Sequence, residues 1–329
     1  MASPIAAQAF RQRLAPNLIK TSKTTLTSAK SHANPELLHG AIALLNPTVQ
    51  PPFKAIRHLF DHLRANPTAA SALNNAYPKR GIFKSAAIKN GIADQKFTID
   101  LSPARDSLIS EATRASLASY GLNDVISFFN NTAENHVSTI LSQLGKVSSI
   151  DLSQVHKDLN MNFRLCDYNP LTANPTSSNG CGEHTDYGTF SIIFQDGTPG
   201  LEIEAPHAPG TWIEIPGDAT VVLAGWCAFI LTGGRVCAVR HRVRRIPGVR
   251  RLSAVLFVAP DLEVKLKPLT EFTNVEFSKE IIGGEVNVSW FKDVMGKRWR
   301  RREGNLEVAE RDEGIFSQDD EIRRLVLGA

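Results

Sequence analysis

The sequence predicts a mixed α and β protein in which a helical amino-terminal region precedes an antiparallel β core. Three observations support this class. Prolines divide residues 35–147 into helix-sized pieces. Apolar residues then recur at spacings of three and four across 123–144, as in one long amphipathic helix. Beyond residue 148 the chain consists of short runs rich in β-branched and aromatic residues, separated by turn residues.

Length and composition restrict the class of protein. The chain has 329 residues, 37 Lys and Arg against 33 Asp and Glu, and a hydrophobic fraction of 42%, an ordinary globular composition with room for one or two domains. Its longest nearly apolar stretch, 219–231, is shorter than the roughly 20 residues of a membrane-spanning helix. We therefore expect no membrane partner. The four cysteines lack any CxxC spacing, so we expect reduced thiols in an intracellular protein.

Residues 1–34 form a predicted amino-terminal arm that contains no acidic residue. Basic residues stand there among Ser, Thr and Ala, which is also typical of an organelle transit peptide. The alternative is an arm that packs on the protein surface. We favour the packed arm because only part of the segment is amphipathic. We therefore expect a cytoplasmic protein, with organellar import as the alternative.

Residues 35–147 are expected to form a helical region that ends in the long helix of about 123–144. Its buried stripe is formed by Val125, Phe128, Phe129, Val137, Ile140, Leu141 and Leu144. Two histidines, His136 on this helix and His156 after it, are interpreted as structural residues.

Residues 148–265 are the predicted catalytic core, an antiparallel sandwich or barrel of short strands. The expected strands are 162–166, 189–194, 201–203, 211–214, 219–223, 235–239 and 252–258. Residues 266–329 are expected to form a helical or lid segment. Its basic run at 297–302 is followed by acidic residues, which favours a solvated helix end and no nucleic-acid partner.

The residues His184 and Asp186 lie two positions apart beside a predicted apolar strand. Side chains at i and i+2 of extended backbone point to the same face, so these two can address one point. A second imidazole from elsewhere, such as His241 downstream, would complete a facial set of three ligands with open positions. That set is typical of non-haem iron(II) that activates dioxygen.

A second pair with the same spacing, Arg251 and Ser253, opens another predicted strand. A guanidinium on an inward strand face needs an anionic partner, and its planar fork suits a carboxylate. A dicarboxylate would chelate the metal at one end and meet this pair at the other. The pattern therefore indicates 2-oxoglutarate.

Taken together, these motifs resemble the iron(II)- and 2-oxoglutarate-dependent oxygenases of the isopenicillin-N-synthase-like superfamily. The resemblance covers roughly residues 80–260 and rests on Arg164-Leu-Cys-Asp-Tyr168-Asn-Pro170, His184-Thr-Asp186-Tyr-Gly-Thr, Ile215-Pro-Gly217-Asp218, His241-Arg-Val243 and Arg251-Leu-Ser253. Lys96-Phe-Thr-Ile-Asp100 also resembles the strand that precedes the family's long helix. This chain departs from the family's usual signatures at two places, Leu38-His39-Gly40 and Thr232-Gly233-Gly234.

The resemblance implies a double-stranded β-helix, or jelly-roll, whose iron ligands are His184, Asp186 and His241. It implies that Arg251, Ser253 and the Tyr168 hydroxyl bind 2-oxoglutarate. Dioxygen would then drive oxidative decarboxylation to succinate, carbon dioxide and an iron(IV)-oxo oxidant. The expected outcome is hydroxylation, desaturation or ring rearrangement of a small organic molecule, in specialised metabolism.

Three residues are candidates for the substrate cavity. Arg164 stands on an otherwise apolar strand and needs an anionic or carbonyl partner, so we expect it to orient an oxygen-bearing substrate. Arg164 and Phe257 match positions that line the substrate cavity of relatives, and Tyr187 follows the carboxylate ligand. Ordinary core packing accounts for Phe257 and Tyr187 equally well.

Alternative functions remain open at this point. Branches of the same superfamily use these ligands and the Arg-x-Ser pair without 2-oxoglutarate. The same ligands suit zinc in a hydrolase, although Arg251 and Ser253 then have no obvious use. A binding protein that no longer turns over is the non-enzymatic alternative. No residue pattern favours one oligomeric state.

Overall fold

The computed structural model describes residues 18–22, 25–27, 42–45, 47, 49–84, 94, 96–158, 160–172, 178–205, 208–302 and 318–328. Most of the predicted amino-terminal arm and the Leu38-His39-Gly40 signature lie outside these ranges. The transit-peptide interpretation and the domain boundaries therefore remain predictions.

The described chain contains thirteen strands and ten α-helices. The strands are β1 Leu18–Ser22, β2 Thr25–Thr27, β3 Ile42–Leu45, β4 Phe83–Lys84, β5 Phe97–Leu101, β6 Asn160–Tyr168, β7 Asn179–Thr185, β8 Phe190–Gln195, β9 Leu201–Glu204, β10 Trp212–Glu214, β11 Thr220–Ala224, β12 Arg240–Arg244 and β13 Arg251–Ala259. The α-helices are α1 Phe53–Ala65, α2 Pro67–Asn75, α3 Pro103–Asp106, α4 Glu111–Ala118, α5 Leu122–Thr132, α6 Ser138–Ser148, α7 Trp226–Leu231, α8 Lys279–Ile282, α9 Val288–Arg302 and α10 Gln318–Leu327.

These strands form two sheets. The larger has the order β2-β1-β3-β11-β8-β13-β6-β5-β4, and the smaller has the order β10-β9-β12-β7. Neighbouring strands are antiparallel except for β1 and β3, which pair in parallel. Buried side chains of both sheets share one apolar cluster, which includes Ile193 and Val255 of the larger sheet and Ile203 and Val243 of the smaller. The predicted mixed class with an antiparallel core is confirmed.

Strand β13 shows how the larger sheet separates its two faces. Its even-numbered residues, Leu252 to Val258, join the apolar cluster on the helical side. Its odd-numbered residues, from Arg251 to Phe257, line a pocket on the other side. The period of two that suggested Arg251 and Ser253 as neighbours thus holds along the whole strand.

The long helix is continuous from α5 to α6 through a π-helical turn at Ala133–Val137. All seven residues of its predicted apolar stripe are buried against the larger sheet's cluster. A π turn adds a residue to the helical repeat, so it brings the second half of the stripe back to the buried face.

Some predicted elements are wrong. Residues 235–239 are not a strand; the strand begins at Arg240 and contains His241. The apolar run before it forms the buried helix α7, because a short apolar run does not by itself distinguish a helix from a strand. Gly233 and Gly234 end that helix with positive φ angles of 64° and 79°. The helical region 35–147 also contributes strands β3, β4 and β5 to the larger sheet.

The described part of the carboxy-terminal segment contains helices α8, α9 and α10, and side chains of these helices pack in a third apolar cluster. This cluster joins Phe291 and Met295 of α9 to Ile322 and Val326 of α10 and to Trp226 of α7. In the described part of the chain, no helix is both long enough and apolar enough to span a membrane. All four cysteines are free thiols.

Candidate active site

The three predicted metal ligands meet between strands β7 and β12 of the smaller sheet. His184 lies near the end of β7, opposite His241 of β12 in the antiparallel register. Asp186 follows β7 and precedes the apolar strand β8, so the pair stands at the end of one strand and before the next. One ligand atom from each of these residues lies within 4.8 Å of the others, and all three side chains are buried. We call them the triad.

Backbone carbonyls orient both imidazoles of the triad. The Nδ1 atom of His184 lies 2.8 Å from the Gly182 carbonyl oxygen, and that of His241 lies 3.0 Å from the Val239 oxygen. A carbonyl only accepts, so each Nδ1 must donate a proton, and in the neutral imidazole each Nε2 then carries the lone pair. These Nε2 atoms face the Asp186 carboxylate at 3.6 Å from His184 and 3.8 Å from His241.

The Asp186 carboxylate has one satisfied oxygen and one unsatisfied oxygen. Ser191 donates a hydrogen bond of 2.5 Å to Oδ2. Oδ1 is buried and has no hydrogen-bond partner among the described residues. A buried orphan carboxylate oxygen is costly unless a cation meets it. Together with two Nε2 lone pairs, it fits a divalent metal with a His, Asp, His donor set.

The Arg251 guanidinium is held at the far end of the same pocket. Its Nη2 donates to Gln195 Oε1 at 2.8 Å and its Nε to the Thr198 carbonyl at 3.3 Å, while its carbon lies 5.1 Å from the Tyr168 ring centre. Nη1 is buried and has no partner among the described residues. One guanidinium edge therefore remains available to an anion.

The predicted cofactor residues and the triad share one pocket. Arg251, Ser253 and Tyr168 line it with all three residues of the triad, and Arg164 and Phe257 extend its wall. Burial raises the pKa of the Tyr168 phenol, so this hydroxyl stays protonated and can donate. The arrangement can bind a metal at one end and a carboxylate at the other.

A buried ionic cluster beside this pocket was not foreseen. Lys96 donates to Asp94 Oδ2 at 2.9 Å and contacts the Cys181 sulfur at 3.0 Å. Desolvation opposes the charge on Lys96, but Asp94 and then Cys181 beside it hold the lysine pKa above its usual value. The other oxygen of Asp94 accepts from the Gly182 backbone at 2.8 Å, which braces the strand that carries His184.

The polar partner expected for Arg164 lies within the protein. Arg164 donates to Asp100 through Nε at 2.7 Å and through Nη2 at 3.1 Å, and Lys84 contacts the same carboxylate at 2.9 Å. Burial alone would raise the pKa of Asp100, but the two cations hold it well below its usual range. The need for a partner therefore does not by itself require a substrate at Arg164, although this residue lines the pocket.

A larger cavity of about 1080 Å³ adjoins the pocket, because Arg164 and Phe257 line both. Tyr187 lines the larger one, so all three predicted substrate residues face it. Its volume lies at the upper end of the range for small-molecule sites. Phe257 and Tyr187 also pack in apolar clusters, so their substrate role stays a prediction.

Sequence reasoning missed Gln195, Lys96 and Asp94, whereas its structural interpretation of His156 agrees with the contacts of that ring. Gln195 and Ser191 are both odd-numbered residues of β8, so they point to the pocket side of the sheet. The alternation along that strand could have predicted this. Lys96 and Asp94 precede a strand and gave no local signal. The ring nitrogens of His156 lie 2.7 Å from the Leu152 carbonyl and 2.7 Å from the Thr189 hydroxyl, as a structural histidine requires.

Comparison with protein families gives a match in the strand-rich core. Residues 159–260 match the 2OG-Fe(II) oxygenase superfamily. The chain is 41% identical over 110 residues to the 2-oxoglutarate-dependent dioxygenase tropC of Talaromyces stipitatus, covering 32% of this chain and 33% of that protein. It is 35% identical over 147 residues to scopoletin 8-hydroxylase of Arabidopsis thaliana, covering 44% and 41%. The matches thus span less than half the length of these relatives.

Solved structures share the fold over most of the chain. A full-length Neurospora crassa protein, crystallised in complex with alpha-KG and thymine, has a TM-score of 0.59 at 16% identity, covering 88% of this chain and 96% of that one. The dioxygenase for auxin oxidation 1 of Arabidopsis thaliana, in its 2-oxoglutarate complex, has a TM-score of 0.51 at 20% identity, covering 78% and 97%.

The predicted family, with iron(II) and 2-oxoglutarate as its cofactors, agrees with the matched segment and with the geometry of the triad. Residues 159–260, about a third of the chain, are thus similar to the 2OG-Fe(II) oxygenase superfamily.

Proposed function

We propose that this protein is an iron(II)- and 2-oxoglutarate-dependent dioxygenase that oxidises a small organic molecule. The observation that carries the proposal is the pairing of two unsatisfied groups in one pocket. Asp186 Oδ1 lacks a partner at the triad and Arg251 Nη1 lacks one at the far end, among the described residues. A metal and a carboxylate satisfy both.

The metal would be held by His184, Asp186 and His241, and three coordination positions would stay open. When bound, iron(II) with 2-oxoglutarate supplies the oxidising chemistry by reductive activation of dioxygen. The protein contributes orientation: the backbone carbonyls behind both imidazoles and the Ser191 hydroxyl behind Asp186 fix the donor atoms.

The far carboxylate of 2-oxoglutarate would lie on Arg251 and Ser253, with Tyr168 as a further donor. Gln195 supports this assignment because it fixes the guanidinium from behind and leaves Nη1 towards the pocket. Apolar residues such as Ile193, Leu201 and Val255 complete the pocket and exclude water. Exclusion of water strengthens each charged contact inside.

The double-stranded β-helix is the architecture we propose for the two antiparallel sheets. The likeness to solved oxygenases supports it, as does the apolar cluster that the two sheets share. Specialised metabolism is the proposed setting. Its support comes from relatives that include scopoletin 8-hydroxylase of Arabidopsis thaliana and clavatol oxidase claD of Penicillium crustosum.

The test is an anaerobic titration of the protein with iron(II) and then 2-oxoglutarate, followed by visible spectroscopy. We expect the weak metal-to-ligand charge-transfer band of a chelated keto acid. The band should be lost in His184→Ala and in Arg251→Ala. Lys54→Gln, an exposed substitution on α1, is the control and should keep the band.

The alternatives give different results in the same experiment. Iron binding without the band would favour an oxidase that does not use 2-oxoglutarate. In a separate assay, turnover with zinc and without dioxygen would favour a hydrolase. Absence of iron binding in the wild type would overturn the proposal.

A further inference from the structure

Two half-buried cations in the wall of the larger cavity have no carboxylate within ion-pair distance among the described residues. Arg105 stands on α3 and Lys292 on α9, and both line the cavity. Neither forms an ion pair with any residue in the described part of the chain. We call Arg105 and Lys292 the cation pair.

Neutral amides hold the cation pair in place. Arg105 Nη1 donates to Asn162 Oδ1 at 2.5 Å, and Lys292 Nζ donates to Asn160 Oδ1 at 3.1 Å. Asn160 and Asn162 are two residues apart on β6, so their side chains share one face of the sheet. An amide oxygen orients a cation without removing its charge, so the positive charge remains towards the cavity.

Four carboxylates line the described cavity wall, those of Asp100, Asp158, Asp261 and Glu263. None of them forms an ion pair with the cation pair, and two of the four are already used by other groups. Asp100 is occupied by Arg164 and Lys84. Both oxygens of Asp261 accept backbone N–H groups, from Lys157 at 2.8 Å and from Asp158 at 2.9 Å.

The pKa of Lys292 agrees with an uncompensated positive region. Desolvation, and then the repulsion of Arg105 and Arg80, lower this pKa from its usual value, and the opposing attraction of Asp293 is weaker. An anion placed between Arg105 and Lys292 would relieve both the desolvation and the repulsion.

One part of the wall is suited to a flat apolar body, while charged groups such as Arg80 and Glu263 line another part. Tyr77, Met161, Phe257 and Leu262 line the same cavity, and the Arg105 guanidinium stacks 4.9 Å from the Tyr77 ring centre. Phe257 also lines the pocket of the triad, so a molecule that fills the cavity reaches towards the proposed metal.

We propose that the substrate is an aromatic molecule bearing a carboxylate, which is held by Arg105 and Lys292 while its apolar body extends past Phe257 to the triad. The inference rests on the proposed function and narrows its substrate class. 2-Oxoglutarate would already be bound by the Arg251 guanidinium, so the cation pair is available to bind a second anion.

The test compares 2-naphthoate with 2-naphthamide, which has the same ring system without the charge. Binding is measured by anaerobic equilibrium dialysis against the protein loaded with iron(II) and 2-oxoglutarate. We expect 2-naphthoate to bind about tenfold more tightly than the amide, a typical gain for a charge-assisted contact of about 1.4 kcal/mol.

The variants Arg105→Gln and Lys292→Gln should each weaken 2-naphthoate about five- to tenfold and leave 2-naphthamide within about twofold. Retained amide binding shows that the cavity is still folded. Lys54→Gln removes an exposed charge elsewhere and should change neither affinity.

Equal affinities for the two probes, no binding of 2-naphthoate, or an equal loss of both probes in the variants would each overturn the inference. The charge-transfer band recorded on the same samples keeps the two proposals apart. A sample that shows the band but no preference for the carboxylate contradicts the substrate class alone, and absence of the band contradicts the proposed function.

Discussion

Ser191 is an unreactive residue on which the geometry of the triad depends. Its hydroxyl donates to Asp186 Oδ2, which lies 3.8 Å from His241 Nε2, and leaves Oδ1 at 3.6 Å from His184 Nε2. A hydrogen-bond partner behind a metal ligand fixes the rotamer of that side chain, so that its donor atom faces the metal more of the time.

We predict that Ser191→Ala lowers the affinity for iron(II) by about tenfold, because Asp186 gains rotamers that do not face the imidazoles. Anaerobic iron(II) titration measures this. Ser116→Ala removes an exposed hydroxyl on α4 that donates to the Thr113 carbonyl at 2.8 Å, and it should leave iron binding unchanged. Equal affinities of Ser191→Ala and the wild type would contradict the prediction.

The Asp100 carboxylate makes stability depend on pH. Its pKa in the folded protein is held well below the usual value, so its pairing stabilises the fold above the unfolded-state pKa. That contribution is lost only as the pH falls through the lowered pKa. Near neutral pH the ion pair with Arg164 is complete.

We predict that Arg164→Met lowers the free energy of unfolding by about 3 kcal/mol at pH 7, because a buried carboxylate loses its main partner. The loss of stability should shrink as the pH falls, because the Asp100 carboxyl group without Arg164 takes up a proton at a higher pH than it does in the wild type. Urea denaturation at pH 7 and pH 4.5 measures it.

The control for this prediction is Arg114→Met, which breaks a half-exposed pair with Asp106. Such pairs contribute about 1 kcal/mol or less, and this variant should show a much smaller deficit. A deficit in Arg164→Met that does not change with pH would contradict the role assigned to Asp100.

Among the elements, the contact between the Asp186 turn and helix α7 is especially close. A Cβ atom on Gly225, which precedes α7, would lie 2.5 Å from the carbonyl oxygens of both Asp186 and Gly188. The Trp226 N–H also donates to the Asp186 carbonyl at 2.9 Å. Only a glycine allows the helix to begin so close to this turn.

We predict that Gly225→Ala displaces the Asp186 turn and lowers the free energy of unfolding by about 1–3 kcal/mol, as overpacking does. The relative loss of iron(II) affinity should exceed the relative fall in melting temperature. Calorimetry and iron titration on the same protein measure both. Gly283→Ala is the control, because its backbone is helical and its nearest neighbour lies at 3.1 Å. Unchanged iron binding in Gly225→Ala would contradict the prediction.

The elements also show what the sequence can predict. Period-two alternation placed Arg251 and Ser253 correctly on β13, and helical spacing placed the buried stripe of the long helix. Both signals are local. The pairing of Arg164 with Asp100 joins β6 to β5 across 64 positions, and no local pattern contains it. Helix α7 was missed because its apolar run has no period that distinguishes it from a buried strand.

At the scale of the whole molecule, the carboxy-terminal segment is an integral part of the fold. Phe291 of α9 is completely buried in the cluster that includes α10, α7 and Tyr187. The next residue is Lys292 of the cation pair. The apolar cluster therefore fixes the position of a charge in the substrate cavity.

We predict that Phe291→Ala lowers the free energy of unfolding by about 3–5 kcal/mol, the cost of an aromatic truncation in a packed core. Urea denaturation measures it. The neighbouring Trp290 is 48% exposed, so Trp290→Ala should cost well under half as much. Similar losses in the two variants would show that this cluster is not a packed part of the protein.

The direct pairing of His184 with His241 has a consequence for how the protein matures. Side chains alternate along a strand, so a slip of one residue between β7 and β12 would send one imidazole to the opposite face. A chain with that error would have one histidine fewer at the metal position and would bind iron weakly. We therefore expect iron to accumulate only in correctly assembled molecules, so that metal occupancy in a purified sample reports the fidelity of folding.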